Sequence, residues 1–169
     1  MHITAGKAET SRMNTQIRKG LGFGLTSGVI TTLGLIVGLD VSTGSRLAVI
    51  AGILLIAIAD SLSDAMGIHI SEEATYRRTT KQIWEATIST FLFKFFFAII
   101  FVVPFLLFDL LTSVYISIGW GLFLIIIYSY DLAQKTKTAA HKVIAEHVFL
   151  TIFVIIASYL VGKLAAMLI

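Results

Sequence analysis

Two aspartates stand four residues apart inside an apolar stretch of the chain. Asp60 and Asp64 lie within Gly52–Glu73, whose first half is apolar enough to enter a bilayer. A carboxylate in hydrocarbon is costly, so such residues usually face a bundle interior and mark ion or proton paths. Residues i and i+4 share one helical face, and paired acidic oxygens suit a hard or borderline cation or a proton relay. The alternative is that Asp64 is solvated at the interface and Asp60 pairs with a neighbouring hydroxyl.

More residues with metal-binding chemistry follow on the same stretch. His69, Glu72 and Glu73 have the three- and four-residue spacing of one helical face. Imidazole combined with carboxylate suits iron, manganese or zinc. We therefore expect these three residues to form the cytoplasmic entrance of a metal path that contains the two aspartates. The alternative is an ordinary polar helix end whose acids pair with Arg77 and Arg78.

A second group of candidates belongs to the ends of two later helices. Asp131, Glu146 and His147 are expected at the same cytoplasmic level. They could complete a metal site with His69 or Glu72. The alternative is that they are interfacial residues without a metal role.

The composition defines the kind of protein that must position these residues. The chain has 169 residues, 57% of them hydrophobic and 14% charged, and it lacks cysteine. Recurrent apolar runs of about 20 residues indicate a polytopic membrane protein. The missing cysteines exclude disulfide frameworks and thiolate metal sites. The net charge of +3 is explained by loop residues that set topology, so no nucleic-acid partner is expected.

The fold class expected is all-α, with five transmembrane helices in one domain spanning residues 1–169. The helices are predicted at about residues 21–39, 47–68, 88–108, 111–130 and 143–168. Lysines and arginines concentrate in the N-terminal arm and in the second and fourth connections, which predicts a cytoplasmic N-terminus. The chain is thus expected to be an integral membrane protein, in the cell membrane of a prokaryote or in a vacuolar or other organellar membrane.

Two residues of the third predicted helix have special chemistry. Lys94 falls in its first turns and is predicted to snorkel to the near interface, although it could instead pair with Asp60 or Asp64. Pro104 lies near the end of the helix and is predicted to kink or terminate it.

The first helix is built for close packing. Small residues spaced by four let another backbone approach closely within a membrane. The glycines that provide this spacing are Gly20, Gly24 and Gly28, and then Gly34 and Gly38. Ser27 and Thr31 add hydroxyl groups to the same helix.

These first two helices resemble a known family. The segments Gly24-Leu-Thr-Ser-Gly28, Val-Ile-Thr-Thr-Leu-Gly34-Leu-Ile-Val-Gly38 and Leu62-Ser-Asp-Ala-Met-Gly-Ile-His-Ile-Ser71 are similar to those of the vacuolar iron transporter family. The resemblance implies five membrane helices, a cytoplasmic N-terminus, and a homodimer packed through helix 1 that exchanges divalent iron or manganese for protons.

The chain departs from the family pattern at three places. Ser27 stands where the family has an aspartate, and Asp64 stands where it has a methionine. The connection between helices 2 and 3 is short, so the chain resembles a variant without the family's cytoplasmic metal-binding domain. Loss of a soft methionine ligand would shift the preference toward harder cations such as manganese.

The predicted function is a homodimeric Fe²⁺ or Mn²⁺ transporter, with metal/proton antiport across the membrane. Asp60 and Asp64 would be path ligands, and Ser27, Thr31 and Met66 would line the path. The alternatives are a non-transporting membrane protein of the same fold, acting as a sensor or assembly partner, and a small-ion channel. No resident cofactor is expected.

An enzyme is not expected. An Asp-x₃-Asp pair also occurs in CDP-alcohol phosphotransferases, but their motif needs a glycine where this chain has Ile56, and an upstream Asp-Gly that is missing. The Gly-x-Ser-x-Gly and His-Glu-x-x-His motifs are likewise missing.

Overall fold

The computed structural model describes residues 2–168, with side chains described for residues 15–168. Its regular elements are all helices: α1 (His2–Thr43), α2 (Arg46–Glu73), α3 (Thr80–Ile99), α4 (Val102–Leu107), α5 (Leu110–Thr136) and α6 (Ala140–Ala166). Five helical segments are long and apolar enough to cross a membrane: Thr15–Thr43, Arg46–Glu73, Thr80–Leu107, Leu110–Thr136 and Ala140–Ala166. The prediction of an all-α polytopic membrane protein with five spans is confirmed.

Helix α1 is the centre of the bundle. It packs against α2, α3, α5 and α6, most extensively against α3. Within its most apolar window 56% is buried inside the protein, against 11–33% for the other spans. The buried side chains Leu25, Val29 and Leu33 repeat every four residues along α1 and form part of the apolar core. The remaining spans therefore arrange themselves around the first one.

The glycines of α1 permit this central packing. A Cβ atom on Gly24 would lie 2.7 Å from the backbone nitrogen of Lys94 in α3, and one on Gly20 would lie 2.1 Å from Ser89 Oγ. At the other end, a Cβ on Gly34 would lie 2.9 Å from Ser158 Oγ in α6. Both glycine faces are thus occupied within one chain. The homodimer through helix 1 stays a prediction, and it would need a different face of α1.

All five spans begin before their predicted starts, whereas the third and fifth end at Leu107 and Ala166, one and two residues before their predicted ends. Helix α3 begins at Thr80, where Thr79 and Gln82 form a reciprocal capping box, eight residues before the predicted start at Ile88. Lys94 consequently lies fourteen residues into the helix instead of in its first turns.

The third span is interrupted between α3 and α4. Pro104 lacks an N–H group, and its ring clashes with the carbonyl four residues earlier, that of Ile100. The backbone responds with tighter i to i+3 bonds, from Phe101 N to Ala98 O and from Val103 N to Ile100 O, both 3.2 Å. The helix is therefore interrupted at residues 100–101, before α4 begins at Val102. Ser113 Oγ of α5 donates a 2.9 Å bond to Pro104 O and anchors the short helix.

Helix α5 begins one residue after Asp109, which acts as its N-cap. The carboxylate accepts a 3.0 Å hydrogen bond from the backbone N–H of Thr112, which lowers the pKa of Asp109 from its ordinary value. A lowered folded-state pKa stabilises the protein above the ordinary pKa of aspartate, and this stabilisation is lost as the pH falls through the folded-state value.

The tight α1–α3 contact predicts opposite outcomes for two glycine substitutions. Gly24→Ala should lower the unfolding midpoint of the purified protein in detergent, because overpacking of this kind costs about 1–3 kcal/mol. Gly119→Ala is the matched control, since nothing lies within 4 Å of a Cβ at that position. It should leave the midpoint unchanged or raise it, because alanine favours helix over glycine. Equal midpoints for both variants would contradict the packing described here.

Candidate functional site

Lys94 joins the two aspartates inside the membrane-spanning bundle. Its side chain is 1% exposed, and its ammonium group forms ion pairs with Oδ2 of Asp60, at 2.5 Å, and with Oδ2 of Asp64. The aspartates come from α2 and the lysine from α3. The prediction that Lys94 snorkels to an interface is wrong, and the alternative pairing with the aspartates is the one observed.

Two hydroxyl groups of α1 complete the cluster. Ser27 Oγ donates a 2.8 Å hydrogen bond to Asp64 Oδ2, and Thr31 Oγ1 lies 3.3 Å from Asp60 Oδ2 as a donor. Thr31 Oγ1 also lies 2.7 Å from the carbonyl oxygen of Ser27. The structure therefore brings Ser27 and Thr31 to the two aspartates. We call Ser27, Thr31, Asp60, Asp64 and Lys94 the triad cluster, after its three charged members.

The triad cluster follows from simple helix geometry. At about 1.5 Å per residue, Lys94 lies roughly 21 Å from the start of α3, and Asp60 roughly 20 Å from the end of α2. Because α2 and α3 are antiparallel and joined by the short connection 74–79, these equal distances put the charges at one depth. Gly24 and Gly28 let the backbone of α3 approach α1 at Lys94. The hydroxyls of α1 are held beside the carboxylates in this way.

The cluster carries a net charge of minus one when Lys94 is protonated and both aspartates are ionised. A buried ion pair repays its desolvation only when the remaining lone pairs are also hydrogen-bonded, which is the role available to Ser27 and Thr31. Both bonds to Lys94 go to the Oδ2 atoms. The Oδ1 atoms remain as additional acceptors on side chains that are 31% and 25% exposed.

Four buried hydroxyl groups have no hydrogen-bond partner among the described residues. Thr32, Ser61 and Thr90 lie on α1, α2 and α3, and Ser117 lies on α5. Thr90 lies one helical turn from Lys94, and Ser61 is the neighbour of Asp60. An unmade hydrogen bond in a buried group costs about 1–3 kcal/mol, so these oxygens are available for another ligand or for water.

Glu72 is engaged in a different charge cluster. Lys19 Nζ of α1 donates a 3.0 Å hydrogen bond to Glu72 Oε1. Arg78 Nε lies 3.0 Å from Glu72 Oε2 and forms an ion pair with it. The N–H group of Arg78 does not point at this oxygen, so the contact is not a hydrogen bond. The buried carboxylate thus joins α1, α2 and the connection after α2. This geometry matches the alternative in which the acids of this region pair with the following arginines.

The other predicted entrance residues do not converge with Glu72. His69 Nδ1 lies 2.9 Å from Thr87 Oγ1, and its ring packs edge-on against Trp84 with centroids 4.9 Å apart. Glu73 is exposed. Met66 is 58% exposed and lies on another face of α2 from the aspartates. The structure therefore does not place Met66 beside the triad cluster.

The candidates on α5 and α6 also lie apart. Asp131 is exposed and pairs with Lys135 one turn along the same helix. His147 Nδ1 lies 2.7 Å from Ser129 Oγ and links α6 to α5, whereas Glu146 is exposed. Across the described residues, no group of three or more histidine and acidic side chains has the geometry to hold a metal ion.

The fold and the triad cluster define the class of protein: a membrane-embedded bundle of five spans with an ion-paired polar centre. Comparisons with protein-family models, with curated proteins and with solved structures found no significant match. The vacuolar iron transporter family accordingly remains a resemblance carried by the motifs of α1 and α2.

Removal of Lys94 should be more damaging than removal of all three charges. Lys94→Met leaves two carboxylates without a cation, and breaking a buried ion pair from one side costs about 3–5 kcal/mol. Adding Asp60→Asn and Asp64→Asn should recover much of that loss, because no unpaired charge remains. The unfolding midpoint in detergent checks this. Lys135→Met is the control, since its exposed pair with Asp131 is worth at most about 1 kcal/mol. A triple variant as unstable as Lys94→Met would argue against the interaction.

Proposed function

We propose that this protein is a divalent cation transporter in which Lys94 holds the cation site when no cargo is bound. The observation that carries the proposal is the pair of intramembrane carboxylates whose partner is a buried side-chain cation. An intramembrane ionisable residue marks a functional site by default. Here three such residues from two helices share one position.

Charge counting favours a divalent cargo. With the ammonium of Lys94 in place, the triad cluster has a net charge of minus one. If a divalent cation takes its place, the two carboxylates neutralise that cation completely. Either cation offsets the desolvation free energy of two carboxylates in a low-dielectric interior, whereas an empty site would leave the two negative charges without a counter-charge. Lys94 and the cargo therefore compete for the same oxygen atoms.

The donor atoms favour a hard or borderline cation. The side chains of Asp60, Asp64, Ser27 and Thr31 offer only oxygen atoms as ligands. Carboxylate and hydroxyl oxygens suit manganese better than softer metals. Among the predicted cargoes we therefore favour Mn²⁺ over Fe²⁺. Exchange for protons and assembly as a homodimer are the further properties that the family resemblance implies.

A second candidate is a non-transporting protein of the same fold, in which the triad cluster only specifies how α1, α2 and α3 pack. Two observations favour it. Lys94 already forms an ion pair with each carboxylate. In addition, a cavity of about 590 Å³ that reaches Thr26, next to Ser27, is also lined by Arg18 and Lys19, which repel cations.

Transport by purified protein in liposomes tests the proposal. An inward-directed Mn²⁺ gradient should drive Mn²⁺ uptake, read by a trapped metal-sensitive dye, with proton movement in the opposite direction read by a pH-sensitive dye. Asp60→Asn combined with Asp64→Asn should reduce uptake by about tenfold or more, because ligand-site changes cost at least that much in metal affinity. The control removes two exposed acids, Glu73→Gln with Asp131→Asn. Transport by the aspartate variant at the wild-type rate would exclude the mechanism.

Competition between Lys94 and the cargo has its own signature. In Lys94→Met the ammonium no longer occupies the carboxylates, so Mn²⁺ should bind more tightly than in the wild type. Binding to the folded state alone raises the unfolding midpoint. Saturating Mn²⁺ should therefore raise the midpoint of Lys94→Met more than that of the wild type, while Lys94→Arg should behave like the wild type. If Mn²⁺ shifts neither midpoint, the non-transporting candidate is favoured.

A further inference from the structure

A polar cavity separate from the triad cluster lies where α1 meets the connection between α2 and α3. Its volume is about 310 Å³, and it is lined by Thr15, Gln16, Tyr76, Arg77, Arg78 and Gln82. This size is at the lower end of the range for ligand pockets, about 300–1,000 Å³. Among the described residues, the lining contains two guanidinium groups, two amides and no carboxylate.

Gln16 is the most informative residue of this cavity. Its side chain is 0% exposed, yet within the described part of the chain neither the amide nitrogen nor the amide oxygen has a hydrogen-bond partner. Buried polar side-chain atoms are nearly always hydrogen-bonded, and an orphaned one costs about 1–3 kcal/mol. A ligand in the cavity that accepts a hydrogen bond from the amide nitrogen would remove part of this cost.

Arg77 adds an uncompensated positive charge. It pairs with no carboxylate in the part of the chain that the structure describes, and its guanidinium lies 5.2 Å from the centre of the Tyr76 ring. Its backbone has φ of +66°, a left-handed conformation that is uncommon for residues other than glycine and asparagine. The chain therefore accepts backbone strain at the residue that brings this charge to the cavity.

The second arginine, Arg78, is positioned by an ion pair with Glu72. Arg78 lies 3.0 Å from Glu72, which also binds Lys19, so the single carboxylate is shared by two cations. The local sum over Lys19, Glu72, Arg77 and Arg78 is two positive charges. This excess, together with the orphaned amide donor, points to an anionic ligand.

We propose that this cavity binds a phosphate group, with Arg77, Arg78 and the Gln16 amide nitrogen as donors. Guanidinium groups bind phosphate oxygens through paired, charge-assisted N–H donors. The phosphate can belong to an anionic lipid headgroup or to a soluble phosphate, since basic pockets at the ends of membrane helices bind lipid headgroups. This site does not depend on the proposed cation transport.

Calorimetric titration of the full chain in a nonionic detergent tests the proposal. The probes are inorganic phosphate, short-chain phosphatidic acid, and short-chain phosphatidylcholine as the zwitterionic comparison. Saturable binding of phosphatidic acid but not of inorganic phosphate would support the site and identify a headgroup. Comparable binding of both would support it and identify the phosphate alone as the ligand. If neither anion binds saturably, or if phosphatidylcholine binds as tightly as phosphatidic acid, the proposal is overturned.

Two variants separate the cavity from general electrostatic attraction. Arg77→Gly removes the guanidinium and suits the φ of +66°, so its unfolding midpoint should not fall below that of the wild type. Gln16→Leu removes the orphaned amide and retains the buried volume. Each should weaken anion binding by about tenfold, the usual effect of losing a charged or buried hydrogen bond.

The matched control for charge is Lys142→Gln, which removes one exposed cation that does not line the cavity. Its affinity should stay within about twofold of the wild type, as screening weakens distant surface charges. If Arg77→Gly and Lys142→Gln weaken binding equally, the anions are attracted by net charge alone and the proposed site does not exist.

Discussion

The rest of the structure depends on the interaction of one ammonium group with two carboxylates in a medium that solvates neither. Lys94, Asp60 and Asp64 would each be expensive alone in the hydrocarbon region, and none can be solvated there by water as at a surface. Their mutual attraction, with the hydroxyls of Ser27 and Thr31 as additional partners, makes their burial tolerable. Three helices must therefore be held at fixed depth relative to one another. A slip of one residue along α3 would move the ammonium by about 1.5 Å and rotate it away from its partners.

The glycines of α1 allow the close helix packing that keeps α3 at this depth. In a bilayer the hydrophobic effect does not distinguish helix contacts from lipid contacts, so close backbone packing has to hold the helices together. Gly24 and Gly28 are placed directly against Lys94, where a side chain on α1 would push α3 away from the aspartates. The small residues and the charges are thus parts of one arrangement. The apolar core elsewhere in α1, with Val29 and Leu33, contributes packing without requiring a particular register.

Much of this architecture could be predicted from the sequence, since apolar runs and loop charges report directly on spans. The shared helical face of Asp60 and Asp64 also followed from their four-residue spacing, whereas the expectation that Ser27 and Thr31 lie opposite them depended on the family resemblance. The depth of Lys94 in the bundle was not predicted correctly, because the predicted start of the third helix was eight residues too late. A capping box at Thr79 and Gln82 was the missed signal: counted from there, Lys94 has the depth of Asp60. Contacts that depend on side-chain direction, such as Glu72 with Lys19, had no such signal, because these partners lie 53 residues apart in the chain.

The separation of Asp64 and Lys94 has a consequence for biogenesis. The two residues are 30 positions apart, and chains are synthesised at about 5–20 residues per second. The carboxylates therefore leave the ribosome roughly 2–6 seconds before the cation that neutralises them. During that interval the second span carries two carboxylates without the cation that pairs with them in the folded protein. Insertion as a hairpin with the third span would bring all three charges into the bilayer together, so these charges would link the integration of one span to that of the next.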